Sequence, residues 1–170
     1  TVEFEDYQSA LTALRHISQA GLFPANCRLL DSNEALFNGA GDGSKHLLIL
    51  AFESADHDKS DQLRRALEIS KENDGIYEIP KESDDAHRSG SSGNWRSSFI
   101  RAPYLRESFT RRGIIQDTFE TAITWDKSLS FIQDIKEQTA KAIFSITGKP
   151  SLVTCRITHS YPDGLAPYFT

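Results

Sequence analysis

Arginine and tyrosine carry the chemistry that can be read in this chain. Arg28 sits inside an otherwise apolar run, Asn26-Cys27-Arg28-Leu29-Leu30. Strand alternation places it on one face with Asn26 and Leu30, and a charge in that setting needs a counter-charge or an anionic ligand. An ion pair to Asp31 or Glu34 meets that need as well as a ligand does. Arg156 repeats the context in Thr154-Cys155-Arg156-Ile157. Tyr168 follows Gly164-Leu165-Ala166-Pro167, and the proline forces extended chain before it. A tyrosine there packs as an ordinary strand aromatic or, with cations beside it, acts as a base. A free phenol titrates near about 10, and neighbouring positive charge favours the ionised form. Arg106 lies in Ala102-Pro103-Tyr104-Leu105-Arg106-Glu107. A proline-broken helix exposes backbone groups, but arginine is common on helix surfaces and the pattern alone does not single Arg106 out.

Other chemistries leave no trace. The chain has no Gly-rich phosphate loop, no paired histidines at zinc spacing and no Gly-x-Ser-x-Gly elbow. The five histidines, His16, His46, His57, His87 and His159, are scattered, so no metal site is expected. His159 reads as a surface or packing residue. Cys27 and Cys155 are too few for a disulfide framework and lack metal-ligand spacing. A reducing, cytoplasmic compartment is the expectation, with a membrane-peripheral location as its variant. The net charge of -5 argues against a nucleic-acid partner, for which a basic face is the usual footprint. At 170 residues, with 38% hydrophobic and 25% charged content, the composition is that of one globular domain with a real core. The absence of any methionine is the mark expected of an interior piece of a longer protein.

The elements that must position these residues alternate between short β-runs and amphipathic helices. Val2 to Phe4 reads as a strand, and Asp6 caps a helix with Tyr7, Ala10, Leu11, Leu14 and Ile17 on one face, closed by Gly21. Cys27 to Leu30 is the next strand, and Asp31-Ser32 starts a helical turn through Leu36. Gly39 to Ser44 is a loop, and His46 to Phe52 is a buried strand. Asp56 to Glu72 is an exposed helix and Ile76 to Ile79 a strand. Lys81 to Asn94, polar and rich in Ser, Gly and Asp, reads as a flexible linker. Trp95 to Phe109 is a helix interrupted near Pro103, Ile114 to Ile123 a strand, and Asp126 to Ile146 a long helix. Leu152 to Thr158 is a strand, Tyr161-Pro162-Asp163-Gly164 a turn, and a last strand begins at Tyr168. The repeated strand-helix-strand order predicts an α+β fold of ferredoxin-like repeats, with a mainly antiparallel sheet covered by helices.

Two runs carry a resemblance. Thr118-Phe119-Glu120-Thr121-Ala122-Ile123-Thr124-Trp125-Asp126 is followed by Thr154-Cys155-Arg156-Ile157-Thr158-His159-Ser160-Tyr161, and then by Ala166-Pro167-Tyr168-Phe169. Together they resemble the C-terminal half of the alkyldihydroxyacetonephosphate synthases and their bacterial FAD-linked oxidase relatives, in the vanillyl-alcohol oxidase superfamily. The resemblance extends from Phe4 to Ala20, through Arg28-Leu29-Leu30-Asp31, to Tyr168. Ala122-Ile123-Thr124 and Pro167 depart from the synthase pattern and lean toward the bacterial relatives.

The resemblance implies that residues 1–170 form a single cap domain of a longer flavoprotein, whose FAD is held mainly by a domain absent from this chain. It implies a catalytic Tyr168 and substrate-binding Arg106 and Arg28, and identifies no cofactor-binding residue. In the synthases a fatty alcohol replaces the acyl group of acyl-dihydroxyacetone phosphate without net redox change, and the tyrosine removes a proton from the substituted carbon. The implied partners are a small anionic substrate, with or without a lipid chain, and the protein's own flavin-binding domain. The chain alone is expected to be inactive and to hold no FAD. Two alternatives stand beside this reading: an FAD-linked oxidase or dehydrogenase of a hydroxy acid, and a non-enzymatic ferredoxin-like ligand-binding or interaction module.

Overall fold

The computed structural model describes residues 1–78, 97, 100, 104 and 106–170. Its first half is built by short-range signals. β1 (Val2–Phe4) leads into α1 (Tyr7–Gln19), where the Asp6 carboxylate accepts the Ser9 N–H at 2.8 Å and so satisfies a donor of the first turn. Ala10, Leu11, Leu14 and Ile17 recur at helical spacing and are buried. β2 (Asn26–Leu30) is followed by α2 (Ser32–Phe37), capped by Asp31, and then by β3 (His46–Ala51). α3 (Ser60–Glu72) starts four residues later than the sequence predicts, after turns in which Ser54 and Asp58 bond nearby backbone.

The second half holds β4 (Phe119–Glu120), β5 (Ile123–Thr124), a single 3-10 turn at Trp125–Lys127, α4 (Ser128–Thr147), β6 (Cys155–Ser160) and β7 (Gly164–Phe169). α4 ends at Gly148, whose φ of 66° supplies the left-handed stop that a side chain resists. Gly164 is required for another reason: a Cβ there would stand 2.4 Å from the Ile123 carbonyl oxygen and prevent β5 from pairing with β7.

Among the described residues seven strands form one sheet in the order β1-β3-β2-β6-β7-β4, with β5 also on β7, and every pairing between them is antiparallel. The fold is therefore α+β with a mainly antiparallel sheet, as the repeat of strands and helices predicts. Its N-terminal part keeps the ferredoxin-like order, with Ile76 bridged to Glu3 on the far side of β1. The main core lies on one sheet face, where Leu29, Leu48, Ile157 and Phe169 meet α1, α3 and Ile132 of α4. The other face carries a smaller cluster, Leu30, Leu47 and Ile49 with Ala35 and Ala40.

Several expected boundaries move. The strand expected from Ile76 is a single bridge within the described residues. The strand expected over Ile114 to Ile123 is two strands of two residues each, preceded by irregular chain in which Ile114 and Ile115 are exposed. Those apolar residues line a cleft and do not pair in the sheet. β6 runs later than Leu152 to Thr158, and β7 begins at Gly164, because the Tyr161–Gly164 turn closes a β6–β7 hairpin through Tyr161 N–H to Gly164 O at 2.8 Å. The linker expected over Lys81 to Asn94, and most of the interrupted helix expected from Trp95, lie outside the described residues.

Candidate functional site

Register assembles the site. One row crosses five strands on the face opposite the main core: Leu47, Leu30, Arg156, Tyr168 and Glu120, each paired with the next. Arg28 lies two residues from Leu30 and so projects from the same face. The sheet thus gathers Arg28, Arg156 and Tyr168 from β2, β6 and β7.

Arg156 is the centre of this row. Its guanidinium carbon lies 4.0 Å from the centroid of the Tyr168 ring, well inside cation–π range. Its Nη1 donates to Glu34 Oε1 at 2.8 Å. Glu34 belongs to α2, is 1% exposed, and also accepts from the Thr154 hydroxyl. On its other side, the Tyr168 hydroxyl donates to Thr118 Oγ1 at 2.8 Å. Arg28 is held below the usual arginine range, first by burial and then by the positive charge of Arg156. The two guanidiniums thus lie within electrostatic reach of each other.

A β-bulge between Ile157 and His159 lets two β6 residues oppose one on β7. It puts His159 opposite Ala166, in step with Tyr168, and brings His159 Nδ1 within 3.4 Å of Glu120 Oε1. His159 is largely exposed there, a surface residue as its position predicts.

The two acids weighed as partners of Arg28 anchor groups of several other elements. Glu34 holds Arg156, while Asp31 accepts from Glu34 N–H at 2.7 Å, Cys155 N–H at 2.8 Å and Lys136 Nζ at 2.5 Å. Arg106 is exposed in the helical residues 106–110. The structure brings two of the three expected residues, Tyr168 and Arg28, onto one face of the sheet.

Beside the row opens a cleft of about 880 Å³, lined by apolar side chains that include Phe37, Phe109, Ile115, Ile143 and Leu152. Its wall also contains Thr118 and Thr154, the hydroxyl partners of Tyr168 and Glu34. A polar, charged row thus adjoins an apolar cavity. Among the described residues no group of three His, Cys, Asp or Glu side chains is placed to hold a metal ion, and no helix is long and apolar enough to cross a membrane.

Sequence reasoning set Arg156 beside Arg28 without choosing it, offered Glu34 as an ion-pair partner of Arg28, and assigned no role to Thr118 or Glu120. Glu34 had one signal, an acid three residues after a helix-capping Asp31; its burial depends on a partner 122 residues away.

The whole chain, residues 1–170, matches the family described as FAD linked oxidases, C-terminal domain, and it belongs to that family. Among curated proteins it is similar to the alkyldihydroxyacetonephosphate synthases of Caenorhabditis elegans, 24% identical over 98% of this chain and 31% of that protein, and of Dictyostelium discoideum, 24% identical over 98% and 30%. Two solved structures of alkyldihydroxyacetonephosphate synthase share the fold, with TM-scores of 0.74 and 0.77 at 19% identity, covering 99% of this chain and 35% of theirs. The chain spans about a third of the length of the curated relatives it matches.

Membership of the family implies FAD. Three buried polar atoms without a protein partner, Asn26 Oδ1, Arg156 Nε and Thr158 Oγ1, belong to the strand segments that carry Arg28 and Arg156. A donor, an acceptor and a hydroxyl suit the mixed polar edge of a ring system. They are compatible with the polar edge of a flavin and assign no cofactor-binding residue.

Proposed function

We propose that this chain is the substrate-covering cap domain of an FAD-dependent enzyme of the alkyldihydroxyacetonephosphate synthase type, with the flavin-binding domain supplied by sequence outside it. The observation that carries the reading is the single sheet row that sets Tyr168 against Arg156, with Arg28 on the same face and an apolar cleft alongside. A substrate with an anionic head and an alkyl chain matches both surfaces. Free thiols at Cys27 and Cys155 fit a reducing cytoplasm, with the protein peripheral to a membrane where its substrate is a lipid.

In this reading Tyr168 accepts the proton from the substrate carbon being substituted, and Arg28 binds the anionic head. An anion there offsets by attraction the desolvation and the repulsion from Arg156 that bear on Arg28. Arg106 binds the phosphate through its planar fork of donors. Its exposed place on residues 106–110 leaves it open to a ligand. FAD, when bound, supplies the electrophilic partner for the substrate carbon.

The test uses the full-length flavoprotein. Tyr168→Phe should abolish turnover at unchanged flavin content, because only the ionisable oxygen is lost. Arg106→Ala should raise KM, most for phosphate-bearing substrates. Ether formed from acyl-dihydroxyacetone phosphate and a fatty alcohol, without net flavin reduction, supports the synthase reading. Flavin reduction by a hydroxy acid with no ether product overturns it in favour of an oxidase, with the same arginines gripping a carboxylate. Near-normal turnover of Tyr168→Phe on the true substrate defeats the assignment of the base under either chemistry.

A further inference from the structure

We propose that Arg156 and Glu34 are positioning residues for Tyr168: Glu34 clamps the Arg156 guanidinium, and the guanidinium fixes the plane of the Tyr168 ring. The inference rests on the reading of Tyr168 as the base and names what holds that base in place.

The geometry points to a relay of three side chains from three elements. A β7 tyrosine has two soft torsions, and a strand fixes only the first bond of its side chain. Tyr168 is nevertheless gripped at two places, by the Thr118 hydroxyl at its oxygen and by Arg156 over its ring. Arg156 cannot hold a ring unless it is held itself, because a long side chain loses much rotamer freedom when ordered. Glu34 meets that need from α2, where it is buried and takes a second bond from Thr154. A carboxylate kept from water behind two donors is an expensive way to stabilise a surface turn. It is a sensible way to fix a guanidinium whose side chain is 15% exposed, facing the row where the ligand is read to bind.

Charge adds a second effect. The guanidinium places a fixed positive charge against the face of the ring, whose oxygen must be a phenolate before it can accept the proton. Arg28 shares that field and is the residue read to face the anion, so the two arginines divide the work: one touches the ligand, the other the base.

Kinetics on the full-length flavoprotein separate this role from two others. Arg156→Gln and Glu34→Gln should each lower kcat by about 10- to 100-fold, as a misplaced catalytic group does, with KM changed less than about threefold and flavin content retained. Arg156→Lys, which keeps the charge but loses the plane, should recover only part of kcat. In a Tyr168→Phe background, Arg156→Gln should add no further loss to the residual rate. A KM raised tenfold or more with kcat preserved would show that Arg156 grips the substrate and would overturn the proposal. So would an unchanged kcat in Arg156→Gln, or a further loss in the Tyr168→Phe background. Should Glu34→Gln fail to fold, the Arg156 pair and the double variant decide alone. If Tyr168→Phe itself retains turnover, the reading of the base fails, which is distinguishable from a Tyr168→Phe enzyme that is dead while the Arg156 variants remain unaffected.

Discussion

Replacing Asp31 by Ala should destabilise the fold by about 3 kcal/mol. Asp31 is 3% exposed and accepts three bonds that tie β2, α2, β6 and α4 together. Loss of the helix cap to Glu34 N–H costs about 1 kcal/mol. Leaving the Cys155 N–H without its side-chain acceptor costs roughly 1–3 kcal/mol. The Lys136 end of the pair is 29% exposed and can turn to water, so its share is below about 1 kcal/mol. In a domain of this length about 3 kcal/mol lowers Tm by about 6–12 °C. Asp31→Asn keeps an acceptor for one N–H and should cost about half as much. Urea unfolding and calorimetry on wild type, Asp31→Ala, Lys136→Met and the double variant close a cycle, in which the two effects should fall short of adding because the residues share a bond. An Asp31→Ala protein within about 1 kcal/mol of wild type would refute the reasoning, since it would mean that the cap and the Cys155 contact are replaced at no cost.

Two further outcomes follow from shifted groups. Burial pushes the Cys27 thiol up to about 12, and burial above all raises Cys155 as well. At pH 8 about one Cys27 in 10⁴ is thiolate, so iodoacetamide should label neither thiol until the chain unfolds; rapid labelling of folded protein would contradict this. His46 is held below its ordinary value by burial first, against a smaller opposing pull from Asp31, and its Nδ1 must stay unprotonated to accept the Ser32 N–H at 3.0 Å. The unfolded chain therefore takes up this proton first, near about pH 6.5, and the stabilisation present above that value is lost as pH falls through the folded value. The urea midpoint should drop between pH 7.5 and 5.5, and His46→Gln should flatten the slope. An equal slope in the variant would remove His46 from the account.

The sequence spoke clearly where neighbours in the chain decide the outcome. α1 was legible because Asp6 and the spacing of Ala10, Leu11, Leu14 and Ile17 agree on one helix. β3 was legible because Leu47 to Leu50 are apolar without a break. The run from Ile114 to Ile123 misled because its apolar residues look like a strand, whereas Ile115 faces a cleft. Strand propensity records the fit to a half-buried surface and cannot say which surface. Arg28 and Tyr168 could be placed on strands, and their common face emerges only from the β2–β6 and β6–β7 registers. The role of Arg156 was hidden for the same reason, since local acids were the natural partners to expect and its true partner lies far along the chain.

That distance has a kinetic meaning. Arg156 and Glu34 are separated by 122 residues, and the β2–β6 pairing that aligns them closes a loop of comparable length. Loop closure grows slowly in free energy with length but weighs heavily on rate, because no long-range contact gives a return until the ends have met. β1, α1, β2 and β3 can pair within the first 51 residues. The β6–β7 hairpin can form on its own turn. Contact order predicts that the seam between these two pieces forms last, and the proposed site lies across it. Slower folding on weakening the β2–β6 seam than on weakening the β6–β7 hairpin is the expected outcome, and stopped-flow refolding of variants at Leu29 and at Gly164 checks it.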